Sequence, residues 1–452
     1  MMAGRVNHQV GKIARLDEGS GACFISFTRL TPNWTKFGVR RVKLIKQAPD
    51  PVRSPIPRPG NSGMLMAGTR RAGWFFQFIL LLIGFIHLSC TVRTPAEQKA
   101  TTVPPILQQS WSKYVDRFIQ RDGRVIDHKA GGISTSEGQA YAMLRAVWMG
   151  DRSTFDKTYE WGVNNLNSKI RSDSLWAWKW GKDDKGNWRV LDSAFATDAD
   201  QDVALALILA WKAWNDSRYL TQAQIVMTDL WNIGSIQVGG RRYLLAGDTL
   251  CTADTCRLNP SYAAPYAYRI FARFDTARDW NDLVDTSYFL LESASKLTTT
   301  RLPPDWLILH LDDGRLSSGD AKDNSFSYDA FRVFWRVALD RILFNDARAT
   351  RYLNDSTDWL IREWKTKKKL PAVISARGEN VSKYESLEML AGLAPALGFL
   401  SQDVAEAMYK RIDSRYSGGL WAETDSYYIQ NWVWFGTALR NSYIAPFERV
   451  RY

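Results

Sequence analysis

The chain has 452 residues, 45% of them apolar and 13% aromatic, enough to bury a large core. Its net charge of +12 would suit a nucleic-acid partner, but residues 1–100 hold 15 Lys and Arg against 4 Asp and Glu and so carry +11 of it. Residues 101–452 are left at +1, which excludes a polyanion-binding body and suits a neutral polymer or small molecule.

Residues 1–69 include "PDPVRSPIPRPGNSG", a polar, proline-rich run expected to be disordered or to lie upstream of a true start at Met64 or Met66. Residues 70–90, "RRAGWFFQFILLLIGFIHLSC", place Arg70 and Arg71 before an apolar stretch from Gly73 to Ile86. A basic flank and a short apolar core describe an export signal, with an uncleaved membrane anchor as the alternative. Leu88-Ser89-Cys90 resembles a lipoprotein cleavage site, but His87 stands where an aliphatic residue is preferred, so lipidation of Cys90 stays open. Residues 91–104 read as a linker. The expected location is exported: periplasmic, membrane-anchored or extracellular. There, Cys251 and Cys256 of "CTADTC" either close a small disulfide loop or stay reduced.

From 105 to 445 the pattern is one long alternation of helical segments. They fall near 105–121, 135–150, 152–168, 197–213, 217–232, 260–274, 278–297, 328–342, 347–366, 384–398, 401–413 and 424–441. "AYAMLRAVW" (140–148) and "VALALILAW" (203–211) are apolar on most sides, as helices buried all round are. Residues 152–168 instead show a single stripe of Phe155, Tyr159, Val163 and Leu166, which suits an outer layer. Inner helices alternating with outer ones predict an all-α fold of six hairpins closed into a double ring, an (α/α)6 barrel. No repeat of fixed period speaks for an open array. "GSIQVGGRRYLLAGD" (234–248) predicts a short hairpin near a rim.

Three acids occupy one kind of place. Glu137 in "STSEGQ", Asp198 in "ATDADQD" and Asp329 in "SYDAFR" each open a mostly apolar segment. Inner helices of one sense open on one face, so the three are expected to meet in a cleft. A capping box explains Glu137 as well, with Ser134 as cap and the carboxylate three residues on. The chemical alternative is glycosidic hydrolysis, which needs an acid for the leaving oxygen and an ionised partner across the bond. A helix N-terminus favours the carboxylate anion, so an acid at 137 needs burial or a neighbouring negative charge, for which Asp198 is the candidate.

Other sites fail on their residues. "DADQD" resembles a calcium loop, but Val203 and Leu209 stand where glycine and glutamate are required. The chain has no phosphate-cradling loop, HExxH or nucleophile elbow, and only His128 and His310 follow the export segment. Neither a metal nor an organic cofactor is expected.

"STSEGQAYAMLRA", "VLDSAFATDADQDVALALILAW", "NPSYAAPYAYRIF" and "SYDAFRVFW" stand in the order found in glycoside hydrolase family 8, which the chain resembles over residues 105–441. The likeness is greatest to its endoglucanases, including the cellulase associated with bacterial cellulose synthesis. The resemblance implies an (α/α)6 barrel that hydrolyses β-1,4-linked glycans with inversion. It implies Glu137 as general acid, Asp329 as general base, and Asp198 as the carboxylate that grips the distorted sugar, sometimes labelled a nucleophile. Tyr262 of "NPSY" would orient the attacking water, and Arg332 would hold the carboxylates by charge-assisted bonds.

In "LWAWKWG", Trp176, Trp178 and Trp180 share one side of an extended segment. The similar family stretch supplies a sugar-stacking tryptophan, which makes Trp178 and then Trp180 substrate-binding candidates against ordinary packing. Tyr427 and Tyr428 of "DSYYIQNWVWFG" could reach the cleft, with core packing the favoured reading, Asp200 and Asp202 are expected in structural roles, and Lys179 and Lys182 on the surface.

The resulting expectation is an exported endo-acting, inverting hydrolase of internal β-1,4-glucosidic bonds in cellulose-like glucans. Its expected partner is the polysaccharide, with a cellulose synthase complex as a further one and no nucleic acid. The alternatives are the same scaffold acting on xylan, mixed-linkage glucan or chitosan, a non-catalytic envelope glycan-binding protein, and a toroid for isoprenoid cyclisation. The last lacks its aspartate-rich metal motifs.

Overall fold

The structure is a computed structural model that describes residues 102–444. The upstream stretch 1–69, the export segment 70–90, Cys90 and most of the linker lie outside the described residues.

Each of the twelve expected helices is present: α1 (Pro105–Phe118), α2 (Ser136–Trp148), α3 (Arg152–Gly162), α4 (Thr197–Trp214), α5 (Ser217–Asn232), α6 (Pro265–Phe274), α7 (Asn281–Lys296), α8 (Arg332–Phe344), α9 (Ala347–Lys367), α10 (Leu387–Leu397), α11 (Gln402–Asp413) and α12 (Tyr427–Arg440). The even-numbered helices form the inner ring, in which α2 packs on α4, α4 on α6, α6 on α8, α8 on α10 and α10 on α12. Helix α12 then returns to α2, which closes the barrel. Outside it, α1 packs on α12, and α3, α5, α7, α9 and α11 each pack on the inner helix that precedes them.

Burial separates the rings as the apolar patterns predict. In α2 every residue except Glu137 is buried, and in α4 the run Thr197–Ala210 is buried throughout. In α5 burial is confined to Tyr219, Ala223, Val226, Met227 and Leu230, a stripe at helical spacing.

Connections at the two ends of the barrel differ in length. Inner-to-outer turns have two to six residues, and three of them are built alike. Gly150, Asn215 and Asn345 take a left-handed conformation, and the next residue, Asp151, Asp216 or Asp346, caps the following helix. Glycine and asparagine adopt that conformation most readily, and a capping aspartate satisfies a backbone N–H that the helix leaves open.

Outer-to-inner connections are longer, and every strand lies in them: β1 (Ser134–Thr135), β2 (Ala177–Lys182), β3 (Trp188–Phe195), β4 (Ser235–Val238), β5 (Arg241–Leu244), β6 (Thr255–Leu258), β7 (Leu307–His310), β8 (Leu316–Ser318), β9 (Tyr416–Ser417) and β10 (Leu420–Trp421). They form two three-stranded sheets, β1-β2-β3 and β6-β7-β8, and two hairpins. The expected 234–248 hairpin is β4–β5. A disulfide joins Cys251 to Cys256, the second residue of β6. All this material sits where the inner helices begin, so one end of the barrel is built up around their N-termini.

Buried polar pairs fix the inner ring. Arg336 of α8 makes a two-point bond to Asp202 of α4, at 3.1 and 3.0 Å, and donates to the Tyr266 hydroxyl of α6 at 2.9 Å. Asp200 accepts the backbone N–H of Trp176 at 2.8 Å. Both aspartates are buried and make these structural contacts, as expected.

Candidate active site

Helix α2 starts later than a capping box at Ser134 would require. Ser134 pairs with Trp180 in the sheet, and its hydroxyl donates to the Val125 carbonyl at 2.6 Å. The cap is Thr135, whose hydroxyl oxygen accepts the Gly138 N–H at 3.0 Å. Glu137 therefore has no part in capping, and its carboxylate turns to other partners.

Those partners are Tyr427 and Arg332. The Tyr427 hydroxyl donates to Glu137 Oε1 at 2.8 Å and lies 3.1 Å from the Thr135 hydroxyl. With the Thr135 oxygen already accepting from Gly138, a chain of donors runs from Thr135 through Tyr427 to Glu137. Gly138 makes room for it, because a Cβ there would meet the Tyr427 ring at 3.2 Å. Tyr427 thus meets both readings: its ring packs in the core, and its hydroxyl reaches the cleft and holds Glu137. Tyr428 is half-buried and donates to the Tyr328 carbonyl at 2.6 Å.

Arg332, the buried first residue of α8, is the hub. Its Nη1 donates to Glu137 Oε2 at 3.0 Å and to Asp198 Oδ2 at 3.1 Å, and its Nη2 pairs with the Asp329 carboxylate. The three acids expected from remote stretches thus meet on one guanidinium. Asp198 is the second residue of α4 and Glu137 the second of α2, whereas Asp329 lies in the turn before α8. The side chains differ in access: Asp198 is 4% exposed, Glu137 20% and Asp329 33%.

Burial pushes the Glu137 carboxyl up to about 7, and the charges of Asp198 and Asp329 act in the same direction against Arg332 and Tyr427. The Asp198 carboxyl is raised too, by burial foremost, with Arg332 and Arg336 opposing. Asp329 is also raised by burial, opposed by Arg332 and by the Asn259 and Trp306 side chains. A third of the Asp329 side chain meets solvent, more than of the other two acids. The Glu137 carboxyl is thus raised toward neutrality beside the more solvent-open Asp329.

Tyr262 ends a short 3-10 turn, Pro260–Tyr262, capped by Asn259. This turn, with Pro265 opening α6, is why the segment expected as helix from 260 is helical only from 265. The Tyr262 ring lies 5.5 Å from the Arg332 guanidinium carbon and 6.4 Å from the Trp306 ring.

Register shifts on either side of Lys179 break the alternation of β2. Trp176 is buried against Gly162, and Trp180 packs edge-on to Trp161 at 5.3 Å and parallel to Trp188 at 4.8 Å. Trp178 and Trp180 are both half-buried, and the Lys179 ammonium lies 5.3 Å from the Trp178 ring. Lys182 is exposed as expected, but its ammonium lies 5.1 Å from the Trp188 ring. Sequence reasoning missed Trp188, which is 46% exposed, as well as Asn259, Asp305 and Trp306 around Asp329.

The family model described as Glycosyl hydrolases family 8 matches residues 89–406. The chain belongs to this family. It is 33% identical over 249 residues to an endoglucanase of Escherichia coli K12, an alignment that covers 54% of this chain and 65% of that protein. It is likewise 33% identical over 263 residues to a probable endoglucanase of Novacetimonas hansenii, covering 57% and 74%. The chain thus spans just under two thirds of the E. coli relative. Among solved structures, the endo-1,4-D-glucanase of Vibrio fischeri ES114 matches with a TM-score of 0.63 and 25% identity, over 73% of this chain and 94% of that one. The fold match to that neighbour agrees with the closed double ring.

Proposed function

We propose that this protein is an endo-acting, inverting hydrolase of internal β-1,4-glucosidic bonds in cellulose-like glucans. The observation that carries the proposal is the Arg332 hub, which gathers a proton-holding Glu137 and a more exposed Asp329. Both Glu137 oxygens already accept bonds, from Tyr427 and Arg332, so its acidic proton occupies a remaining lone pair. Glu137 delivers that proton to the leaving glycosidic oxygen. Asp329, open to solvent, takes a proton from the attacking water, which Tyr262 orients. Asp198 grips the strained ring, Arg332 holds the carboxylates in place, and Trp178 stacks on a neighbouring sugar. The endoglucanase names of the sequence relatives and the endo-1,4-D-glucanase title of the structural neighbour support a β-1,4-glucan as substrate.

We place the protein outside the cytoplasm, a reading supported by the export-like residues 70–90 and by the Cys251–Cys256 disulfide. There it trims or degrades β-1,4-glucan, with a cellulose synthase complex as the proposed setting for trimming. Fractionation of expressing cells tests the location: the protein is expected in the envelope or medium, and retention in the cytosol would contradict it.

The substrate is tested on carboxymethylcellulose, mixed-linkage glucan, xylan and chitosan. The expected result is a rapid fall in carboxymethylcellulose viscosity with few new reducing ends. Turnover confined to another polymer would keep the mechanism and overturn the substrate.

A further inference from the structure

A fourth carboxylate stands behind the turn that carries Asp329. Asp305 is 7% exposed, and its Oδ1 accepts the backbone N–H groups of Ser327 at 3.1 Å and Ala330 at 2.8 Å. Its other oxygen accepts the Ser327 hydroxyl. These three donors flank Tyr328 and Asp329, so one side chain ties both ends of the turn.

Asp305 is itself anchored. Its own N–H donates to the Ser325 carbonyl at 2.8 Å and that of Trp306 to the Asp323 carbonyl at 3.0 Å. Two residues after Asp305, β7 begins, paired with β6 on one side and β8 on the other. The sheet is thus a rigid base, and Asp305 with the adjoining Trp306 passes its position to Asp329, which the Trp306 side chain faces.

Among the described residues Asp305 forms no ion pair, so nothing cationic offsets its burial. Burial foremost, then the negative charge of Asp329, push its carboxyl up to about 7. What holds it in place is the set of three hydrogen bonds it accepts from the turn.

We infer that Asp305 is a positioning residue for the reaction: it locks the Ser327–Ala330 turn so that Asp329 stands where it can take a proton from the attacking water. This inference rests on the hydrolase reading proposed above.

The test compares kcat and KM of the full chain and its Asp305→Ala, Asp305→Asn and Asp329→Asn variants on a soluble β-1,4-glucan oligomer. Asp305→Ala is expected to lose about a hundredfold in kcat with KM within about twofold of wild type, because misplacing a reacting group affects the chemical step. Asp305→Asn keeps an oxygen for both N–H groups and is expected to restore kcat to within about tenfold of wild type. On an aryl cellobioside with an acidic phenol, which leaves without protonation, the Asp305→Ala defect should persist as that of Asp329→Asn does, while that of Glu137→Gln is relieved.

If Asp305→Ala does not fold, Ser327→Ala takes its place, with kcat expected to fall about threefold to tenfold at unchanged KM. An unchanged kcat in the folded variant, a loss confined to KM, or an Asn variant as inactive as the Ala variant would overturn the inference. A wild type without glucan turnover would sink the hydrolase reading and this inference with it. An active wild type, silenced by Asp329→Asn but indifferent to Asp305→Ala, would sink the inference alone.

Discussion

Glu137 must be protonated when glucan binds, and its surroundings work toward that. With its carboxyl at about 7, the protonated fraction falls as pH rises through that value, and the alkaline limb of kcat/KM should lie there. The Tyr427 hydroxyl donates to the carboxylate and so favours the ionised form. Tyr427→Phe should therefore move the alkaline limb to higher pH, and a limb moved to lower pH in the pH–rate profile would count against this role. Glu137→Gln removes the proton donor and should lower kcat by about 10²- to 10⁴-fold. Circular dichroism of that variant should match wild type, because Thr135 and not Glu137 caps α2.

The helical elements were legible and the site's finer geometry less so, for different physical reasons. "VALALILAW" shows its buried, all-apolar character within a few residues, so α4 needs no tertiary information. The place of Ser134 depends on its partner Trp180, far along the chain, and local capping rules cannot see it. The register of β2 is irregular on either side of Lys179, which sequence alternation does not record. Tyr427 meets two demands at once, a ring in the core and a hydroxyl on Glu137, and its apolar neighbours disclose only the first. Asp305 and Asp329 are brought together by a sheet whose strands give no hint of a site.

The hairpin turns repeat a signature that a search for a fixed period misses, because the long connections between them differ in length. Asn345 sits at φ 52° between α8 and α9, where alanine is strained and glycine is not. Asn345→Ala should destabilise the fold by roughly 1–2 kcal/mol and Asn345→Gly by less, read from chemical denaturation midpoints.

The molecule as a whole is a ring, so each inner helix supports two neighbours. Asp202 and Arg336 hold α4 to α8 across it, both buried. Asp202→Ala would leave the Arg336 charge without its partner and should cost roughly 3–5 kcal/mol, seen as a lower thermal midpoint. Glu388, at the start of α10, is 2% exposed, and its Oε2 has no hydrogen-bond partner. Burial pushes its carboxyl from 4.5 to about 7, so the folded state keeps a proton that the unfolded chain releases. Its effect is absent below about pH 4.5 and grows as pH rises to about 7, reaching a loss of roughly 3 kcal/mol. Glu388→Gln should raise the denaturation midpoint at pH 8 and leave it nearly unchanged at pH 4.5.

Everything at the mouth of the barrel turns on whether three acids on one arginine form a glycosidase site. The most direct measurement follows the hydrolysis of a soluble β-1,4-glucan by the full chain and by Glu137→Gln, reading new reducing ends and their anomeric form by proton NMR within the first minutes. Internal cleavage that releases the α-anomer first, and is lost in the variant, is the predicted result. Initial release of the β-anomer, or equal activity in the variant, would contradict it.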